Sequence, residues 1–201
     1  MDISTAISAI SIGAIAWVGL SGNTPAVISD SQNSNTANVE NATTDDFQPI
    51  ISFVQRFEGD GAASKYDLGG KTRFGVTEQL WTSLGKPEPQ TKEAAAEIFK
   101  EIYWDNGPTC KQYPKPVAFV CFDTSVNFGT KGNPPKTNGW ASLSAGLDLK
   151  GDPNNSANII IERRIAHRYA MVNRLPKQQV HLEGWLRRDK ELKSLISGLG
   201  Q

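Results

Sequence analysis

The glycine-rich stretch RFEGDGAASKYDLGGKTRFGVT, residues 56–77, is the feature that most constrains what this 201-residue chain can fold into. Five glycines lie between residues 59 and 75, so the stretch cannot continue a helix and predicts a loop with a short irregular hairpin. Before it, apolar residues recur at helical spacing from Phe47 to Phe57, and the pattern stops at Glu58. We therefore predict a first helix that ends at Glu58, followed by a small β element.

Helical patterns resume after the hairpin and continue through most of the chain. The turn-rich segment GTKGNPPKTNG separates the central apolar pattern from two amphipathic ones, and there are no internal repeats. The predicted fold class is therefore mainly α, in the sense of an α+β domain with one small hairpin after the first helix. The later helices are predicted over residues 77–84, 92–104, 117–128, 158–173 and 183–196.

The N-terminal segment predicts export. No charged side chain occurs between Ile3 and Ser29, and the apolar run over residues 3–20 has the length of a signal-peptide core or a short membrane anchor. Residues 24–26, Thr-Pro-Ala, offer a small-residue cleavage pattern, whereas Asp2 and the lack of a preceding Lys or Arg are untypical of signal peptides. A disordered leader is the alternative. Residues 1–22 are thus a signal-peptide-like or anchor segment, and residues 23–46, rich in Ser, Asn, Thr and Asp, are a disordered linker.

Charge and cysteine content exclude several classes of protein. The formal net charge is zero, but residues 150–201 hold ten Lys and Arg against five Asp and Glu. This surplus fits weak attraction to an anionic polymer, although we favour simply solvated arginines, and no basic face with interleaved aromatics predicts nucleic-acid binding. With two cysteines and two histidines in no ligand spacing, we expect neither a metal site nor a cofactor. Cys110 and Cys121 form either a disulfide or two buried thiols.

Glu58 is the main candidate for catalysis. At the C-terminal end of a helix, the helix dipole and the neighbouring Phe57 both disfavour ionisation of its carboxyl group. A protonated Glu is the general acid that cleavage of a glycosidic bond requires, and Asp67 and Thr72 are candidates for the second group across the sugar ring. The competing interpretation is that the two acids have capping or surface roles.

At this point the sequence resembles glycoside hydrolase family 108, bacterial and phage muramidases with a lysozyme-like fold. FEGDGAASKYDLGGKTRFGVT is similar to the family's EGG…DpGGxTxxGIT signature. Downstream, AAAEIFKEIYWDN resembles its segment ending in YW, PVAFVCFDTSVNFG its buried helix, and GWLRRDKEL its GW-x-x-R element. The resemblance covers residues 47–196 in order. The chain departs from the pattern at Asp60, where the family has glycine, and at Leu68, where it has proline.

The resemblance implies roles for individual residues. Glu58 corresponds to the essential acid, and Asp67 and Thr72 to residues that position water. Asp60 could act on Glu58 as a like charge or mark an inactive site.

Three further residues are candidates for substrate binding. Asp123 and Asn127 lie one helical turn apart, and Asn127 could bind a sugar substituent, although both could equally serve to satisfy a buried helix end. Tyr66 could stack on a sugar face.

The resemblance also implies an organisation and a substrate. Residues 47–135 would form a lysozyme-like catalytic domain and residues 136–201 a shortened, peptidoglycan-binding-like extension. The expected activity is that of an N-acetylmuramidase, with a lytic transglycosylase or a non-catalytic wall-binding or secretion-assisting protein as alternatives. The expected partners are peptidoglycan glycan strands, with membrane contact through residues 3–20 and a monomeric state. The site of action would be the periplasm or cell envelope, or a host wall if the chain is phage-encoded.

Overall fold

The structure of the protein is a computed structural model. It describes residues 40–58, 71–106, 109–131 and 139–200. The described residues all belong to one compact unit. The predicted leader and most of the predicted linker lie outside the described residues, as does the predicted domain boundary after residue 135. None of the helices in the described ranges is long and apolar enough to cross a lipid bilayer.

The described residues are mainly helical, with one two-stranded antiparallel sheet, which confirms the predicted fold class. The structure adds a short helix, α5, that no sequence pattern indicated. The third helix also continues into a π-helical turn. In chain order the elements are α1 (Phe47–Phe57), β1 (Thr72–Arg73), β2 (Val76–Thr77), α2 (Glu78–Ser83), α3 (Lys92–Phe99), a π-helix (Lys100–Asp105), a 3-10 turn (Cys110–Gln112), α4 (Lys115–Phe128), α5 (Trp140–Leu143), α6 (Pro153–Arg174), a 3-10 turn (Pro176–Gln178), α7 (Gln179–Ser197) and a 3-10 turn (Gly198–Gly200).

Packing begins before the first helix, earlier than the sequence predicted. The Ala42 side chain is buried, and its backbone N–H donates a 2.8 Å hydrogen bond to the Tyr113 carbonyl. The Asp46 carboxylate accepts hydrogen bonds from the backbone and hydroxyl of Thr43, at 2.7 and 2.9 Å. The predicted disordered linker therefore gives way to ordered chain before residue 46, because these polar groups find partners in the fold.

Helix α4 is the centre of the fold. It is buried along a continuous run from Val117 to Ser125, which explains why its sequence is apolar without a helical stripe. Helices α1, α6 and α7 all pack against it. It ends at Phe128 and is followed by Gly129, whose φ of +78° and ψ of 174° glycine adopts far more readily than other residues.

A disulfide joins Cys110, in the 3-10 turn, to Cys121 in α4, with Cα atoms 5.5 Å apart. This resolves the alternative that the sequence left open. The bridge closes a loop of 11 residues, for which loss of loop entropy in the unfolded chain gives about 2–3 kcal/mol of stabilisation.

The two long C-terminal helices pack on each other and on α4. Helix α6 begins at Pro153, earlier than predicted, because the Asp152 side chain caps it by accepting from the Asn155 N–H at 3.1 Å and proline fits the first helical turn. Helix α7 begins at Gln179. These helices therefore belong to the same packed body as α1 and α4, and a peptidoglycan-binding role for them stays a prediction.

Candidate active site

Glu58 caps the C-terminus of α1, as the sequence predicted. Its backbone N–H donates to the Val54 carbonyl at 3.1 Å, which closes the last turn, and its own backbone is extended. The amphipathic stripe of α1, including Ile50, Ile51 and Val54, is buried in the core, so the helix is fixed and its end is well placed. The Glu58 side chain is 20% exposed, which leaves its carboxyl group accessible at the surface of the fold.

The hairpin lies directly against the Glu58 carboxyl group. Strands β1 and β2 are joined by a two-residue turn, Phe74 and Gly75, with φ values of +49° and +81°, the pattern of a type I′ turn. A Cβ atom on Gly75 would lie 2.6 Å from Glu58 Oε2 and 2.8 Å from Cδ. A side chain at this position would therefore have to displace Glu58, and Oε2 is the carboxyl oxygen nearest the hairpin.

We expect Gly75→Ala to lower kcat by about 10²-fold, because the added methyl group must displace the Glu58 carboxyl group by roughly 1 Å. The matched control is Gly85→Ala, since Gly85 also has a positive φ, +63°, but no atom within 4 Å of its Cβ position. Both variants place alanine at a positive φ, and only the first brings a side chain against Glu58. Equal kinetic losses in the two variants would show that strain rather than the collision is responsible. Steady-state kinetics with thermal denaturation of both variants make the comparison.

The other oxygen of Glu58 is bound by an arginine of the last long helix. Arg188 Nη1 donates to Glu58 Oε1 at 2.7 Å, across 130 residues of sequence. Arg188 also donates from Nε and Nη2 to Asp123 Oδ1, at 2.9 and 2.7 Å. Its side chain is 6% exposed. One buried guanidinium thus links the first helix, the central helix and α7.

Behind Arg188 the ion pairs continue through the core. Arg164 Nη2 lies 2.7 Å from Asp123 Oδ2 and 2.6 Å from Asp189 Oδ1. Arg168 Nε donates to Asp189 Oδ2 at 2.6 Å. We call Arg188, Asp123, Arg164, Asp189 and Arg168 the buried ion network. Positive and negative groups alternate along it, so each buried charge has an opposite neighbour.

At Asp123 and Arg188, the two members of the network nearest Glu58 in the chain of contacts, electrostatics favour the ionised forms. Burial opposes the charge of Asp123, but the Arg188 and Arg164 guanidiniums outweigh burial and hold the pKa of Asp123 below its usual value. Burial likewise opposes the charge of Arg188, and the carboxylates of Asp123 and Glu58 outweigh it and raise the pKa of the guanidinium. At the far end of the network burial is the larger effect, and it lowers the pKa of the Arg168 guanidinium although Asp189 opposes this.

These contacts bear on two sequence-based interpretations. The environment expected for Glu58, a helix dipole and Phe57, did not include Arg188, whose Nη1 lies 2.7 Å from Glu58 Oε1. The arginines of the basic C-terminal segment were expected to be solvated, yet Arg164, Arg168 and Arg188 are buried. Pairing with Asp123 and Asp189 is the physical reason that these arginines can lie inside the fold.

The structure places some of the predicted site residues together and leaves others outside its described part. Thr72 lies in β1, paired with Thr77, in the hairpin that contacts Glu58. Asp67 and Tyr66 fall outside the described residues, as does Asp60.

The two candidates on the central helix lie apart from the exposed carboxyl group. Asp123 is fully buried, and both of its carboxylate oxygens face arginines, so its position suits support of Arg188 rather than direct contact with a substrate. Asn127 is half-buried and donates to the Asp123 carbonyl at 2.9 Å.

Sequence reasoning missed two contacts of Glu58. Gly75 was seen only as one glycine among several, and its φ above zero cannot be distinguished from theirs by sequence. Arg188 is the final residue of the stretch GWLRR, which carried the resemblance to a GW-x-x-R element. That motif was the available signal, but spacing along the chain did not indicate that its arginine reaches Glu58.

The mainly helical fold, with a carboxylate that ends the first helix and meets a small hairpin, is of the lysozyme-like type. Residues 51–129 match the model of the family described as Glycosyl hydrolase 108, and this part of the chain is assigned to that family. At the level of the family this means a lysozyme-like peptidoglycan hydrolase, and the chain carries a glycoside hydrolase domain. The match includes Glu58, the hairpin and Asp123, and it ends before α6 and α7. No curated protein and no solved structure matches the chain.

Proposed function

We propose that the protein is an N-acetylmuramidase, which hydrolyses the β-1,4 bond between N-acetylmuramic acid and N-acetylglucosamine, with Glu58 as the general acid. The observation that carries the proposal is the Glu58 carboxyl group itself. It is partly exposed, held by Arg188 on Oε1, and directed with Oε2 towards a hairpin whose Gly75 leaves room for it. The family match supplies the substrate class.

In the proposed reaction, Glu58 gives its proton to the glycosidic oxygen while the bond from that oxygen to C1 breaks. The sugar ring at C1 takes on positive charge, a water molecule adds to C1, and its proton leaves to a base or to solvent. Thr72, in the contacting hairpin, and Asp67 are proposed to position this water, on the strength of the sequence resemblance. Asn127 and Tyr66 are proposed to contact the glycan.

We propose that the protein acts outside the cytoplasm, as a monomer, in the periplasm or cell envelope or, if phage-encoded, on a host wall. The disulfide between Cys110 and Cys121 supports this, because structural disulfides persist in oxidising compartments. The apolar segment over residues 3–20 is proposed to direct export and to contact the membrane.

The test is to incubate the full chain with purified peptidoglycan and to identify the soluble products by mass spectrometry. Muropeptides with a reducing N-acetylmuramic acid end, each heavier by one water than the corresponding anhydro product, are expected. Anhydro products would instead assign a lytic transglycosylase, and a reducing N-acetylglucosamine end would assign cleavage of the other glycosidic bond. Sedimentation of the protein with the wall, without released fragments, would assign a non-catalytic wall-binding protein.

A further inference from the structure

The guanidinium of Arg188 donates hydrogen bonds to two carboxylates, one buried and one partly exposed. Nε and Nη2 are both directed to one oxygen of Asp123, which is fully buried in α4, and Nη1 is directed to Oε1 of Glu58, which is partly exposed. The planar guanidinium fixes the angle between these two contacts. The position of Glu58 Oε1 is therefore set from the core of the protein rather than from the surface.

The charges of the buried ion network do not balance without Glu58. The network holds three arginines and two aspartates, which leaves one positive charge among side chains that are nearly inaccessible to water. Glu58 supplies the missing negative charge at the exposed end. Breaking the contact would leave a buried charge only partly compensated, so the contact is expected to be held firmly.

In the described part of the chain, three other arginines contact the rings of Phe57 and Phe74 next to the site. Arg56 and Arg187 lie against the Phe57 ring, with guanidinium carbons 5.9 and 5.8 Å from its centroid, and Arg73 lies 4.7 Å from the centroid of Phe74 in the hairpin turn. Among the contacts of the described residues, the ion pair of Glu58 is made with Arg188.

We propose that Arg188 is a positioning residue for glycosidic cleavage, and this rests on the proposed function. It binds Oε1 of Glu58, so that Oε2, the oxygen on the hairpin side, carries the proton when the acid is neutral. Asp123 holds Arg188 in place, and Arg164, Asp189 and Arg168 hold Asp123. The last long helix, beyond the segment that matches the family, thereby completes the site.

The first test compares Arg188→Lys and Arg188→Ala with Arg187→Lys and Arg187→Ala. Arg187 is a matched control, because it is adjacent, also lies on Phe57, and is exposed. Lysine keeps the buried positive charge but cannot reproduce the planar fork. We expect both Arg188 variants to lose about 10²-fold in kcat with little change in KM, since the loss is of geometry at the reacting group. Both Arg187 variants should retain wild-type kinetics.

Chemical rescue separates positioning from a structural role. Added guanidinium ion at millimolar concentration is expected to restore part of the kcat of Arg188→Ala, because it can enter the space of the missing group and bind Glu58. It should have no effect on Arg187→Ala. Wild-type kcat in the Arg188→Lys variant, or kinetics of the Arg188 variants that match the Arg187 variants, would overturn the proposal.

A measurement of stability needs no substrate, so it tests the role of Arg188 independently of the proposed function. Denaturant midpoints are compared for Glu58→Ala, Arg188→Lys and the double variant, and separately for Glu58→Ala with Arg187→Ala. We expect non-additive shifts in the first cycle and additive shifts in the second. If the wild type releases no wall fragments, the proposed function fails. The first double-mutant cycle then still decides whether Arg188 holds Glu58. Additive shifts in that cycle would overturn the proposal that Arg188 positions Glu58.

Discussion

Glu58→Gln is expected to lower kcat for peptidoglycan cleavage by about 10²–10⁴-fold, the usual contribution of a general acid. Glutamine has the same shape and can still accept the hydrogen bond from Arg188 through its amide oxygen, but it carries no proton that it can give to the leaving sugar. The change therefore removes the proton transfer while it leaves the contacts of the helix end in place. KM should change little, because the substrate is bound by other parts of the protein.

The measurement is release of reducing muropeptides over time, with Glu191→Gln as the control. Glu191 lies in α7 and its side chain is 40% exposed, with Arg56 3.7 Å away, so the same chemical change there should leave cleavage intact. Thermal denaturation of both variants verifies folding. Cleavage by Glu58→Gln at the wild-type rate would rule out Glu58 as the acid, whatever the products are.

Asp123→Asn is expected to lower the free energy of unfolding by about 3–5 kcal/mol at neutral pH, because it leaves Arg188 and Arg164 buried with one acid fewer between them. Urea denaturation gives the number. The comparison is Glu162→Gln, which removes an ion pair with Lys193 that also joins α6 to α7, at 2.8 Å, but at the surface. That pair is expected to contribute about 0–1 kcal/mol. Similar losses of unfolding free energy in both variants would show that burial does not increase the contribution of these ion pairs to stability.

The same variant should change the response to acid. The pKa of Asp123 is below its ordinary value of 3.8 in the folded protein, because the arginines outweigh the effect of burial. The folded state therefore binds this proton less readily than the unfolded state does. The stabilisation from Asp123 is complete at a pH above its pKa in the unfolded chain. It is lost as the pH falls through its lower pKa in the folded protein. The wild type should lose stability below about pH 4, and Asp123→Asn should lack that part of the decline.

Local patterns predicted most of the backbone. The apolar stripe of α1, the start of a helix at residue 92 and the glycines after Glu58 depend on neighbouring residues alone, and the structure has the two helices and a hairpin in these places. Glu58 could be selected because its position at a helix end follows from the same patterns. Helix boundaries were less accurate, as at α6, where the Asp-Pro pair at residues 152 and 153 is a start signal that the periodicity did not include.

The electrostatic part of the site could not be predicted in this way. Arg188 and Glu58 meet only after the whole fold has formed, and no spacing rule connects residues so far apart. Charge counting treated the C-terminal arginines as surface groups, since isolated arginines are rarely buried. Their burial depends on Asp123 and Asp189 arriving at the same place, which is a property of helix packing and not of local sequence.

The distance along the chain between Glu58 and Arg188 also has a consequence for biosynthesis. The two residues that meet in the site are 130 positions apart, and Arg188 is in the last long helix to be synthesised. A nascent chain that has emerged only as far as α6 has its carboxylate but not the guanidinium that binds it. The contact can therefore form only after α7 has been synthesised. On the proposed function, the ribosome-bound protein would be a poor wall-cleaving enzyme, and activity would arise only after translation has passed α7.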